Sequence, residues 1–158
     1  MTLFLPDRQQ MQSLGICLGQ ILTPGSILML EGDLGSGKTT LVQSIGEGLG
    51  ITDTIASPTF ALIHEYPEGR IPLYHLDLYR LEPLEVNELH LETYWEGIEV
   101  PPGIVAIEWP DRLLDWPDNY LHLLLTYVDE GREITFTPYG QINWASICNN
   151  LQLSGLVC

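Results

Sequence analysis

Between positions 11 and 22, Met11, Leu14, Leu18, Ile21 and Leu22 recur at nearly every helical turn, which predicts an amphipathic helix. Asp7 and Gln10 have the spacing of a capping box at its start, and Pro24-Gly25 marks its end. The pattern then switches to a compact apolar run, Ser26-Ile27-Leu28-Met29-Leu30-Glu31, as expected of a strand buried on both faces in a parallel sheet. Leu41, Val42, Ile45 and Leu49 mark one face of a second helix, which Gly48 and Gly50 are expected to terminate.

Beyond it, 60–66 and 71–79 read as strands around a Pro67-Glu68-Gly69 turn, an antiparallel hairpin. Positions 84–95 read as helix, 103–107 as a short buried strand, and 120–128 with 133–137 as a final strand pair turning near Gly131. Trp144, Ile147, Cys148 and Leu151 suggest a last helix in the tail after about residue 140. The elements add up to one α/β domain over 1–158, its mixed sheet parallel at the centre and antiparallel in the later strands, flanked by helices.

Charge narrows the function. Against 21 Asp and Glu stand 6 Lys and Arg, a formal charge of -15, which repels a phosphate backbone. Direct DNA or RNA binding by this chain is therefore not expected. The acidic shell serves either solubility or the docking of a basic partner. Cys17, Cys148 and Cys158 lack zinc or redox spacing and fit a reducing cytosol. No run is apolar enough for a membrane span, and the first residues do not form a secretory leader, so a soluble cytoplasmic protein is expected.

The strand at 26–31 runs directly into Gly32-Asp33-Leu34-Gly35-Ser36-Gly37-Lys38-Thr39, which matches the phosphate-loop pattern in its strand–loop–helix context. Glycines let main-chain N–H groups approach phosphate oxygens, and the helix start adds a positive dipole end. Lys38 is expected to reach the outer phosphates and Thr39 to place its hydroxyl on magnesium. Lys38 is also the only lysine in the chain. The reading is a single P-loop NTPase domain.

Such a loop needs a carboxylate for the metal at a neighbouring strand end. Glu108 closes the apolar run Gly103-Ile104-Val105-Ala106-Ile107 and is the metal-side candidate. In His75-Leu76-Asp77-Leu78-Tyr79-Arg80, alternation puts His75, Asp77 and Tyr79 on one strand face. Asp77 either assists the metal and water or pairs with Arg80; His75 is either a packed histidine or a catalyst. Thr59 is a candidate sensor of the terminal phosphate, and Trp109-Pro110 fixes the chain direction beside the site. From these residues alone, a partner-dependent ATPase, a small-molecule kinase and a nucleotide switch are all open. A kinase wants a cationic lid, and the five arginines form no such cluster.

The four segments Gly32 to Thr40, Ser57-Pro58-Thr59-Phe60, His75 to Arg80 and Ile107-Glu108-Trp109-Pro110, taken in order, resemble the TsaE family, small bacterial ATPases of tRNA threonylcarbamoyladenosine formation. The likeness extends from about Leu5 to Gly140. It implies ATP phosphates on Gly35, Ser36, Gly37, Lys38, Thr39 and Thr40, with Mg2+ held by Thr39 and Glu108. It implies that Lys38, Asp77, Glu108 and Trp109 support hydrolysis, and that Arg132 approaches the nucleotide. Met11 stands where the family usually has a threonine by the adenine. The resemblance also implies TsaD and TsaB as protein partners, with tRNA reached only through their complex.

Overall fold

The computed structural model describes residues 1–56 and 62–156. Seven strands form one sheet in the order β1-β7-β6-β2-β5-β4-β3. They are β1 (Thr2–Leu5), β2 (Ile27–Gly32), β3 (Ile63–Tyr66), β4 (Leu73–Asp77), β5 (Ile104–Glu108), β6 (Tyr120–Val128) and β7 (Gly131–Tyr139). β6, β2, β5 and β4 are mutually parallel, while β3, β7 and β1 add antiparallel at the two edges. The parallel centre and the antiparallel later strands are as expected, with β6 belonging to both: it runs parallel to β2 and forms a hairpin with β7.

Alternation along each strand divides the apolar residues between two cores. Leu28, Leu30, Ile104, Ala106, Leu73 and Leu123 face α1 (Arg8–Ile21), α2 (Lys38–Leu49) and α5 (Trp144–Leu153). Ile27, Met29, Val105, Ile107 and Leu76 face the other layer, which includes Val86 of α3 (Pro83–Glu88), Leu91, and Trp95 of α4 (Thr93–Glu96). Burying Leu14, Leu18, Leu41 and Ile45 completely against the first face contributes roughly 1.5–3 kcal/mol per side chain. Asp7 caps α1 through Oδ1, which accepts from the Gln10 N–H at 2.8 Å. The tail is built into the same core, for Leu151 and Leu156 are buried with α1.

Two expectations are corrected, and one element was not expected. Gly50, with φ +81, caps α2, but Gly48 lies inside the helix: a methyl there would overlap the Ile16 carbonyl, so this glycine permits α1 and α2 to touch backbone to backbone. The single helix at 84–95 is two short helices. Glu82 and Glu85 close a capping box around Pro83, and His90 then takes φ +50, which interrupts the helical path. Thr2–Leu5, for which no element was expected, is a strand held by pairing with residues 132–135 of β7.

A candidate phosphate-binding site

The C-terminal ends of β2, β5 and β4 converge on the first turn of α2. Parallel register places Glu108 beside Leu30 and beside Asp77. Ile104 and Ala106, which share the Glu108 face, pack in the α2 core, as does Leu73, which shares the face of His75 and Asp77. Three side chains separated in sequence thus point toward the same helix start.

The loop joining β2 to α2 turns back on itself. Gly37, the residue before α2, has φ +110 and ψ +13, a backbone conformation that side chains rarely adopt. A Cβ at this position would meet Met11 Cε at 3.2 Å and Arg132 Nε at 3.6 Å. Lys38, Thr39 and Thr40 open α2, where N–H groups have no acceptor inside the helix and the dipole favours an anion. Ser36 differs: its N–H bonds the Asp33 carbonyl at 3.0 Å, and its buried hydroxyl has no partner among the described residues.

Lys38 folds over the loop. Its Nζ donates to the Gly32 carbonyl at 2.6 Å and the Asp33 carbonyl at 2.9 Å, and lies 4.5 Å from the Trp109 ring centre. Burial pushes its ammonium below the usual lysine pKa, opposed by the negative charges of Glu108, Asp77 and Asp33. The Thr39 hydroxyl donates to Glu108 Oε1 at 2.9 Å, and His75 Nε2 lies 2.7 Å from the same oxygen. Both Glu108 and His75 are buried.

Asp77 is half-buried, and desolvation raises its pKa. The Tyr79 N–H, bonded to Oδ1 at 3.0 Å, opposes the rise, Glu108 adds to it, and His75 and Lys38 oppose it. Among the described residues no ion pair joins Asp77 to Arg80, so its polar neighbours are those of the cleft. Trp109 has φ +60 and ψ +54 immediately before Pro110, a left-handed conformation that costs a bulky residue about 1–3 kcal/mol. This turn sets its ring over Lys38 and 4.8 Å from the Tyr79 ring. Together Gly35, Gly37, Lys38, Thr39, Thr40, Asp77, Glu108 and Trp109 line a cleft of about 190 Å³.

Arg132 reaches the loop from β7, between β1 and β6. It pairs across strands with Tyr127, its guanidinium carbon lies 5.1 Å from the Tyr127 ring centre, and the Tyr127 hydroxyl donates to the Gly35 carbonyl. Tyr127 is thus the contact that the motifs did not single out, while His75, weighed as packed histidine or catalyst, is buried against Glu108. Met11, expected near the base, is buried against Gly37. Thr59 lies outside the described residues.

Hard oxygen ligands suit magnesium, which takes one or two protein oxygens and leaves its other positions to water and phosphate. Thr39 Oγ1 and the Glu108 carboxylate are two oxygens of this kind in hydrogen-bond contact, the residues that would hold such a metal. Among the described residues no cluster of three or more His, Cys, Asp or Glu forms a metal cage, as such a site requires none.

The architecture defines the class: an α/β domain built on a strand, phosphate loop and helix, with acids at the ends of the neighbouring parallel strands. The family model described as threonylcarbamoyl adenosine biosynthesis protein TsaE matches residues 5–134, and the chain belongs to the TsaE family. It is 63% identical over 138 residues to the tRNA threonylcarbamoyladenosine biosynthesis protein TsaE of a Nostoc species, covering 87% of this chain and 85% of that one. The protein of the same name from Bacillus subtilis is 42% identical over 130 residues, 81% of this chain and 78% of that one. The crystal structure of Bacillus subtilis YdiB superposes with a TM-score of 0.78 at 31% identity, covering 98% of this chain and 95% of that chain.

Proposed function

We propose that this chain binds ATP with Mg2+ in the cleft at the start of α2 and hydrolyses it in the service of threonylcarbamoyladenosine formation on tRNA. The observation that carries the reading is the meeting of Lys38, Thr39, Asp77 and Glu108 around one phosphate loop. The names of the TsaE relatives supply the pathway.

In this reading the N–H groups of Gly35, Gly37, Lys38, Thr39 and Thr40 bind phosphate oxygens, and the Lys38 ammonium exchanges its loop carbonyls for the outer phosphates. Thr39 and Glu108 would hold magnesium, which would supply neutralisation of phosphate charge. His75 keeps the Glu108 carboxylate in place. Asp77 orients the attacking water from the adjoining strand end, and Trp109 closes the cleft beside Lys38. Arg132 approaches the nucleotide over Gly37.

The partners in this reading are TsaD and TsaB, and the work is cytoplasmic. No helix among the described residues is long and apolar enough to cross a membrane. The charge of -15 leaves tRNA to the partners. The test is ATP hydrolysis by the purified chain with and without TsaD and TsaB. Stimulation by the pair is expected; an unchanged rate would count against the partnership, and no hydrolysis in either case against the ATPase.

A further inference from the structure

α3, α4, Trp109 and Leu113 belong to the layer over the β2, β5 and β4 side of the second face. Over β6, β7 and β1 the same face lies open: Phe4 is 50% and Tyr139 45% exposed. On this open part Tyr120 and Tyr139 stack at 4.6 Å, and Trp116 lies 5.1 Å from Tyr120. His122 Nε2 sits 2.7 Å from Glu31 Oε2, and these five side chains border one hollow. Glu31 also borders a second hollow, with Asp33, Asp111 and Trp109 among its walls. Glu31 borders both hollows and so links the aromatic platform to two further carboxylates, Asp33 and Asp111, along one groove; neither hollow has a lysine or arginine in its lining, and Arg112 reaches Asp111 at 3.8 Å from beside it.

We infer that this groove docks a basic segment of a protein partner, with an arginine or lysine side chain over the Tyr120 and Tyr139 rings and its charge at Glu31. Aromatic faces attract cations, and an adjacent carboxylate adds a charge-assisted hydrogen bond. Buried Trp and Tyr contacts are also the usual anchors of protein interfaces. A nucleic acid would bring phosphates against Glu31, Asp33 and Asp111, so the charge selects a basic protein segment. The groove ends at Trp109, which also forms the wall of the phosphate-loop cleft. A segment lying in it would touch the back of the site.

The experiment is a nitrogen–proton NMR titration of the 15N-labelled full chain, without nucleotide, using a hexa-arginine peptide as the probe. Saturable shifts should concentrate on Glu31, the Trp116 indole, Tyr120, His122 and Tyr139. Glu31→Gln and Tyr120→Ala should each weaken the apparent affinity by roughly fivefold or more. Glu47→Gln, an exposed acid on α2 in the opposite helical layer, should change it less than about twofold. Shifts spread over the whole acidic surface, equal weakening by Glu31→Gln and Glu47→Gln, or no saturable binding would overturn the inference. A single-stranded oligouridine titrated in parallel should leave the groove resonances unmoved; binding there would assign the surface to nucleic acid instead. Because no nucleotide is present, the outcome is independent of whether the cleft hydrolyses ATP.

Discussion

The Thr39 hydroxyl donates to Glu108 Oε1 at 2.9 Å, tying the first turn of α2 to the end of β5 although the residues are 69 positions apart. Two oxygens are thereby held together, and in the proposed reading both bind magnesium. Glu108→Ala should therefore reduce magnesium-dependent ATP hydrolysis by roughly a hundredfold or more, the scale of losing one preorganised electrostatic group. Nucleotide affinity should fall much less, because loop amides and Lys38 remain. Parallel rate measurements and calorimetry check this; equal loss of rate and affinity would make Glu108 a structural acid.

Tyr127 is not in the phosphate-loop motif, yet its hydroxyl holds the Gly35 carbonyl from β6. Tyr127→Phe removes one hydrogen bond and leaves the ring beneath Arg132. ATP affinity measured by calorimetry should drop about two- to tenfold, corresponding to roughly 0.5–1.5 kcal/mol. No change would mean the contact does not shape the bound loop.

Burial raises the Asp77 pKa in the folded state above its unfolded value, so the folded chain holds this proton more tightly. The favourable contribution is present below the unfolded value of 3.8 and is lost as pH rises through the folded pKa. At neutral pH the ionised carboxylate is a cost to folding. Asp77→Asn should accordingly raise the melting temperature at pH 7 and lose that advantage near pH 4 and below, while hydrolysis falls. A variant less stable than the parent at pH 7 would show that Asp77 serves the fold.

The methyl of Gly48→Ala would meet the Ile16 carbonyl where α1 and α2 touch. Overpacking of this kind costs about 1–3 kcal/mol, and denaturant unfolding should show it without a change in the pattern of nucleotide specificity. A neutral substitution would mean the two helices can separate slightly without loss.

What the sequence made legible was whatever is local. The capping of α1, the apolar run of β2 and the loop from Gly32 to Thr39 each carry their signal within a few residues. Glu108 was found because a buried strand leads into it. The contacts at Tyr127 and His75 could not be found this way, since strand pairing brings them to the loop across 92 and to Glu108 across 33 positions. β1 escaped for the same reason, its partner strand lying at the far end of the chain. At 84–95 the periodicity was real but the backbone reversal at His90 was not visible in it, although Glu82, Pro83 and Glu85 marked a helix start. Gly48 looked like a terminator because a close helix contact and a helix end both call for glycine.

The central claim is that Lys38 and its loop bind ATP. Its ammonium is desolvated among the Gly32 and Asp33 carbonyls and the Trp109 ring, an arrangement that an anion would relieve. Calorimetric titration of ATP with Mg2+ into the parent chain and into Lys38→Ala is the direct measurement. The parent should bind saturably at one site, and Lys38→Ala should lose at least roughly tenfold in affinity while retaining its fold by circular dichroism. Undiminished binding by a folded Lys38→Ala protein, or no binding by the parent, would contradict the account.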